Sequence, residues 1–434
     1  MRQRLEHYFE FERLRTTWRT EILAGFTTFF TMAYIIFVNP SILRDAGMPF
    51  AAVLAATCAS AALGSILMGA FARYPIALAP GMGLNAYFTY TVVMGMGINW
   101  QTALGAVFLS GIAFLLLTIT GASRIIVDSI PHELYSAVAC GIGLFIALIG
   151  LRNAGIIVAS PATLVQLGNL RDPSTLLAMF GLLITAILHA RGVRAAIIIG
   201  ILLTAAAGAA FGLIQWTPQS YSFADLSATM GKLDIAAAAR LGLLEVVFVF
   251  LFVDVFDNVG TLVGVTKKAG LVTTRHIPRI KQILIADSTA TIAGAFAGTS
   301  TVVSYIESAS GVVAGGRSGV TAIVTGLLFV VALFIAPLVG AVPQAATAPA
   351  LIVVGSLMMS HAGEIPWSNA AVAIPAFLTI LTIPLTFSIA TGLSFGFTAY
   401  ALLKLARGEF KKDDWLVYLL AALFIARFVY LGQS

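Results

Sequence analysis

Ala79-Pro80-Gly81-Met82-Gly83-Leu84-Asn85 and Gly298-Thr299-Ser300-Thr301-Val302-Val303-Ser304-Tyr305-Ile306-Glu307 each interrupt an apolar run of near membrane-spanning length. In the first, Pro80, Gly81 and Gly83 do not continue one helix easily, so a new helix starts after the break. The second is rich in β-branched residues and reads as a short extended piece followed by a helix through Ser310 and Val313. Lipid-exposed backbone must be helical, so breaks at membrane depth mark places where the chain lines a protein cavity. Breaks at matching places in two halves point to a binding site, because each half-helix aims its N-terminal amides at the midplane. The two extended pieces can also pair with each other there. The competing explanation is that the glycines merely permit tight helix packing.

The rest of the chain agrees with a membrane setting. Of 434 residues, 59% are hydrophobic and 10% charged, against roughly 25% charged in soluble domains. A mean hydropathy of +0.97 spread over the whole length excludes an ordinary soluble protein and gives a multi-pass membrane protein. The net charge of +6 sits in short loops between apolar segments, where it orients helices and does not indicate nucleic-acid binding. Cys58 and Cys140 lie inside apolar segments and match no disulfide or metal-ligand spacing, so they read as packing residues. Residues 1–20 lack the apolar core and cleavage site of a signal peptide. Leu5, Tyr8, Phe9, Phe11, Leu14 and Trp18 recur at helical spacing among arginines, which predicts an amphipathic helix on the cytoplasmic interface, with a solvated tail as the alternative.

Apolar segments begin near Glu21, Ala51, Pro75, Thr102, Pro131, Thr175 and Val193, and again near Arg240, Arg279, Thr299, Arg317, Ala345, Ser368 and Ser388. That is seven followed by seven, joined by a polar passage over 215–239 with Trp216, Pro218, Asp225 and Asp234. Gly121 and Gly340 are 219 positions apart, Pro131 and Pro349 218, and Asn85 and Glu307 222. A near-constant offset indicates duplication, and an odd number of spans per half turns the second copy upside down, the inverted-repeat plan of secondary transporters. Chance alignment of similar helices is the other explanation.

With a cytoplasmic N-terminus, inside segments hold nineteen basic residues, including Arg73, Arg124, Arg275, Arg279, Lys411 and Lys412, against five outside: Arg44, Arg152, Arg171, Lys232 and Arg240. The same charge bias splits the run from Ser368 to Leu405 into two spans near Phe387. The last stretch, residues 414–431, reads either as a further span or as an interfacial helix.

Leu251-Phe252-Val253-Asp254-Val255-Phe256-Asp257-Asn258-Val259-Gly260-Thr261 puts two carboxylates on a shared face of a strongly apolar helix, with no basic residue beside them. An ionised carboxylate in hydrocarbon costs a few kcal/mol, so it should face a cavity or a partner. Burial disfavours the charged form, which lets such a group take up and lose a proton, as proton coupling requires. Glu307 is a third intramembrane carboxylate, and Asn85 supplies an amide at the corresponding place in the first half. Acceptor carboxylates and an amide suit a planar neutral heterocycle with several N–H donors, and suit an anion badly. Asp287 reads as a supporting acceptor, and Glu245 as a carboxylate at a helix start. Tyr87 and Tyr305 flank the breaks, where ring stacking and ordinary packing are equally open. His7, His132, His189, His276 and His361 show no paired ligand spacing, so no metal or other cofactor is expected. No nucleophile-base pair or phosphate-binding loop indicates an enzyme.

The segments 79–93 (APGMGLNAYFTYTVV), 254–265 (DVFDNVGTLVGV), 298–319 (GTSTVVSYIESASGVVAGGRSG) and 346–355 (ATAPALIVVG) resemble the signature segments of the AzgA-like purine permeases, the hypoxanthine, guanine and adenine transporters of the nucleobase symporter group. Residues 20–40 and 129–151 extend the resemblance to about residues 12–430. It implies an all-α fold of fourteen transmembrane segments as a seven-plus-seven inverted repeat, with segments 3 and 10 interrupted. The implied layout begins with an N-terminal cytoplasmic segment (1–20), the first half of a core domain (21–120) and the first half of a gate domain (121–214). A connecting loop (215–239), the second half of the core (240–340), the second half of the gate (341–406) and a C-terminal helix (407–434) follow. By resemblance, Asn85, Asp254 and Glu307 contact the purine and Asp257 serves transport, with Asp254 also a candidate for proton coupling. Counting back from Gly260 makes Asp257 the substrate carboxylate instead. Gly83, Tyr87, Asn258, Ser300, Thr301 and Tyr305 surround these positions as supporting residues. Asn258 departs from the family pattern, which has threonine there. The implied activity is proton-coupled purine uptake across the cell membrane by an elevator-like movement of core against gate, with a homodimer formed through the gate. An uncoupled purine facilitator and an anion exchanger of the same architecture are the alternatives.

Overall fold

The structure is a computed structural model that describes residues 2–121, 131–213, 227–240, 244–268, 277–339, 342–409 and 415–430. Arg124, Trp216, Pro218, Asp225, Arg275, His276, Gly340, Lys411 and Lys412 lie outside the described residues.

Each apolar run folds as a helix because a helix satisfies its own backbone in a medium without water. Short polar side chains close the free N-termini. Thr17 caps the helix Trp18–Met32, Asn99 caps Trp100–Thr120, Asp172 caps Pro173–Ala190, and Ser388 caps Ile389–Ala406. In chain order the helices are α1 (Arg2–Tyr8), α2 (Phe11–Leu14), α3 (Trp18–Met32), α4 (Ile35–Asp45), α5 (Phe50–Leu67), α6 (Met82–Ala86), α7 (Trp100–Thr120), α8 (His132–Asn153), α9 (Pro173–Ala190), α10 (Ala196–Ala210) and α11 (Ile235–Ala238). They continue as α12 (Leu244–Lys268), α13 (Ile280–Ala297), α14 (Ser308–Val313), α15 (Gly319–Val339), α16 (Gln344–Met358), α17 (Ala370–Thr386), α18 (Ile389–Ala406) and α19 (Trp415–Tyr430). Among the described residues, seven helices are long and apolar enough to cross a membrane, and four shorter apolar helices accompany them. The division near Phe387 is present: that residue adopts φ 50° and ends α17 before α18 begins.

The helices form two sets that pack chiefly within themselves. In the first, α15 lies against α3 and α5, α13 against α5 and α7, and α12 against α7. In the second, α8 packs on α16, α17 and α18, and α9 and α10 pack on each other and on α16. The sets touch where α6 and α12 meet α8, where α4 meets α16 and where α3 meets α10. One continuous buried apolar cluster runs through both.

Two departures from an all-helical chain appear. Strands β1 (Leu78–Pro80) and β4 (Val302–Ser304) occupy the two expected breaks and pair antiparallel, Leu78 opposite Ser304 and Pro80 opposite Val302. A second pair, β2 (Ile157–Ser160) and β3 (Leu164–Leu167), forms a surface hairpin between α8 and α9 that the expected all-α fold did not include. Its signal in the sequence is weak because β3 is exposed at every position and shows no alternation of burial.

The N-terminal segment is helical, as its spacing predicts. Phe9 and Phe11 are buried against Trp18, Val320, Ile323 and Val324, while Leu5 and Tyr8 are exposed. Glu10 joins this segment to two distant loops: its Oε1 lies 3.0 Å from Arg279 Nη1 and 3.5 Å from Arg73 Nη1.

Candidate functional site

The ribbon of β1 and β4 is the frame of the site. Pro80 carries no N–H, so a short edge strand is a place it can occupy. Its carbonyl accepts from Tyr305 Oη at 2.6 Å. Gly81 N donates to Thr301 O at 2.9 Å and Tyr305 N to Ala77 O at 2.9 Å, so the pairing runs one residue beyond each strand. A Cβ on Gly81 would sit 2.9 Å from Val303 Cγ2, which accounts for the glycine. Because the strands are antiparallel, α6 and α14 leave from opposite ends of the ribbon. Asn85 therefore lies at one end, beside Ser300, and Glu307 at the other. The ribbon spans about 10 Å at roughly 3.4 Å per residue.

Each end has its own chemistry. At the Asn85 end, Ser300 Oγ donates to Asn85 Oδ1. Asn85 Nδ2 and Thr301 Oγ1 are buried with no hydrogen-bond partner among the described residues, an arrangement that costs free energy unless a ligand or water completes it. At the Glu307 end, Tyr34 Oη donates to Glu307 Oε1 at 2.5 Å. Tyr34 stands at the break between α3 and α4, where bonds of the i to i−3 type appear at Ile36 and Phe37. Asp257 lies near enough to Glu307, Asp254 and Asp287 to interact electrostatically with each, and Tyr305 lies within the field of Asp257 and Glu307. Asp257 and Glu307 are half-buried.

Asp254 faces elsewhere. It is fully buried, and Asn258 one turn on donates through Nδ2 to Asp254 Oδ1 at 2.8 Å and to Asp287 Oδ2 at 2.7 Å. Asn258 Oδ1 accepts from Ser304 N at 2.9 Å, so one amide side chain ties α12, α13 and β4 together. Asp287 is an acceptor, as the sequence indicates. Asp254 and Asp257 thus differ in exposure and partners: the first is fully buried in the Asn258–Asp287 network, with its Oδ2 unpartnered among the described residues, and the second is half-buried between that network and Glu307.

The remaining expected residues divide similarly. Gly83 faces the second helix set, where an added Cβ would lie 2.5 Å from Ile142 Cγ2. Tyr87 packs edge-on against Phe250, with ring centroids 5.0 Å apart, in the apolar interior. Tyr34 was not anticipated, because 273 positions separate it from Glu307 and no local pattern links them. Asn39 was also missed; its Nδ2 donates to Thr57 Oγ1 at 2.7 Å and Thr299 Oγ1 at 2.8 Å, pinning α4 to α5 and to the segment that leads into β4.

A multi-pass helical protein whose two strand-interrupted segments cross beside buried carboxylates has the architecture of a membrane transporter. The chain belongs to the Permease family, which it matches over residues 19–395. It is a transporter and not an enzyme. It is similar to the guanine/hypoxanthine permease PbuG of Bacillus subtilis, 47% identical with 98% of this chain and 100% of the relative covered. It is also similar to the adenine permease AdeP of Escherichia coli, 46% identical over 98% of this chain and 96% of the relative. In fold it is similar to the transmembrane domain of the cyanobacterial bicarbonate transporter BicA, with a TM-score of 0.61 and 15% identity over 94% of this chain and 98% of that one. SLC26A9 gives a TM-score of 0.69 at 10% identity over 94% of this chain and 70% of that one.

Proposed function

We propose that this chain imports purine nucleobases, hypoxanthine and guanine or adenine, by proton symport. The observation that carries the reading is the gathering of half-buried Asp257 and Glu307 near one end of the strand ribbon, with Asn85, its amide unpartnered among the described residues, at the other. A purine is flat and carries ring N–H donors together with ring-nitrogen acceptors. Half-buried carboxylates accept the former and the Asn85 amide donates to the latter. This geometry favours Asp257 with Glu307 as the purine acceptors, in keeping with the count back from Gly260. Asp254 becomes the enclosed partner of Asn258 and Asp287, suited to holding a proton through the cycle. Tyr34 is the donor that orients Glu307.

The two helix sets correspond to a core (residues 21–120 and 240–340) and a gate (121–214 and 341–406), arranged as fourteen segments in an inverted repeat with the N-terminus cytoplasmic. Uptake proceeds by an elevator-like displacement of core against gate. One proton moving through about 100 mV supplies roughly 2.3 kcal/mol, enough for about fifty-fold accumulation of a neutral base. An uncoupled facilitator differs only in lacking that drive. An anion exchanger would need a cation in the site, and the groups gathered there are acids and amides.

The test is uptake of labelled hypoxanthine into proteoliposomes under an imposed pH gradient, with adenine, guanine, xanthine and uracil as competitors. Purine uptake that collapses with a protonophore is expected. Uptake indifferent to the gradient removes proton coupling, and displacement by uracil but by no purine removes the substrate assignment.

A further inference from the structure

Asp45 ends α4 in the first helix set, and each helix set supplies a donor to its carboxylate. Oδ2 accepts from Tyr90 Oη at 2.8 Å, within its own set. Oδ1 accepts from Gln344 Nε2 at 3.1 Å, and Gln344 opens α16 in the other set. Arg152, at the end of α8, lies over the Tyr90 ring at 5.4 Å from its centroid. One residue further, Thr91 Oγ1 donates to the carbonyl of Phe387, the left-handed residue between α17 and α18. Three separate elements of the second set therefore converge on Asp45, Tyr90 and Thr91. Another polar contact between the sets, Arg194 Nη1 to Thr27 Oγ1, is exposed and longer, at 3.3 Å.

We propose that Asp45, Tyr90 and Gln344 form an outer latch that holds the helix sets together on the face opposite the N-terminal segment and must open before the site is reached from that face. The inference rests on the core-against-gate reading above. Tyr90 is 5% exposed while Asp45 and Gln344 are half-buried, so the contact is partly shielded from water and its bonds are stronger than surface ones. Displacing one set against the other breaks Asp45–Gln344, Arg152–Tyr90 and Thr91–Phe387 together. It leaves Asp45–Tyr90 intact because both residues move with the first set. Asp45 thus keeps a partner when the latch opens, and no carboxylate is stranded. That makes the closed state favourable without making it irreversible.

The test uses the full chain in lipid nanodiscs, with Cys58→Ala and Cys140→Ala removing the native thiols. Spin labels go at Met94→Cys in the first set and Arg171→Cys in the second, both exposed. The distance between them is measured by pulsed electron resonance, which needs no substrate. Asp45→Ala and Gln344→Ala are each expected to raise the population of a second distance relative to the first about tenfold, the effect of losing one charge-assisted hydrogen bond across a two-state equilibrium. The double variant should match Asp45→Ala alone. Should Asp45→Ala fail to insert, Gln344→Glu keeps the shape and sets like charges together, and the same shift is expected of it. An unchanged distance distribution in these variants, or additive effects in the double variant, overturns the latch. Failure of the purine reading would appear separately, as absence of purine uptake by the unmodified chain.

Discussion

Asn258→Ala tests the network that fastens β4 to α12 and α13. Asn258 Nδ2 serves Asp254 Oδ1, Asp254 O and Asp287 Oδ2 at 2.8, 3.0 and 2.7 Å, and Oδ1 accepts from Ser304 N at 2.9 Å. Asp254, Asn258 and Asp287 are fully buried and Ser304 is 2% exposed, so nothing compensates when the amide is removed. A buried group left without its hydrogen bond costs about 1–3 kcal/mol. With Asp254, Asp287 and the Ser304 amide all losing a partner, the loss is about 3–9 kcal/mol. That is a large share of the ~5–15 kcal/mol that holds a typical protein folded. Asn258→Thr, the residue of the family pattern, retains one hydroxyl and should lose about half as much. In detergent, followed by size exclusion after heating, the alanine variant should melt lower by at least about 3 °C. Hydrogen exchange at the Ser304 amide should speed up in parallel. A variant that melts within about 1 °C of the unmodified chain and keeps that amide protected would refute the idea that Asn258 bears the junction.

Glu307→Gln, which keeps the shape but removes the charge, should raise the KM for hypoxanthine about tenfold or more, the worth of one charge-assisted bond. Tyr34→Phe should raise it less, and radiolabelled uptake separates the two effects. Gly83→Ala would drive a methyl to 2.5 Å from Ile142 Cγ2 where the helix sets meet. It should cost about 1–3 kcal/mol of packing and slow transport, with Ile142→Ala restoring the rate; no restoration would mean that the contact is not the cause. Burial raises the Glu10 carboxyl, but its hydrogen bond to Arg13 and the charges of Arg279, Arg13 and Arg73 outweigh this and hold it below the ordinary carboxylate range. The anchoring it gives the N-terminal segment is therefore complete at neutral pH and is lost as pH falls through the ordinary carboxyl range and below it. Limited proteolysis of residues 2–15 should accelerate over that window, and Glu10→Gln should remove the acceleration.

Several features could be read without coordinates because their physics is local. A proline and glycines inside an apolar run cannot continue a helix, so the break at Ala79–Asn85 was legible, and so was the extended piece of β-branched residues before Glu307. The positive-inside bias separated α17 from α18 at Phe387. Carboxylates in apolar helices announced a functional region because hydrocarbon penalises their charge. Spacing alone said only that Asp254 and Asp257 lie near one face of α12. It could not say that Asn258 ties Asp254 to Asp287, or that Asp257 stays half-buried between that network and Glu307. That arrangement follows from how α12 is rotated between α7, α13 and β4.

Composition, charge bias and broken periodicity thus determined the membrane setting, the places where helices stop and the acidic character of the site, because each depends on a residue and its near neighbours. Tertiary structure decided the rest. The pairing of β1 with β4, the Tyr34 donor 273 positions from Glu307, and the contact of Asp45 with Gln344 all join segments remote in the chain. Their partners are selected by packing, register and helix rotation, and none of these leaves a trace in local sequence.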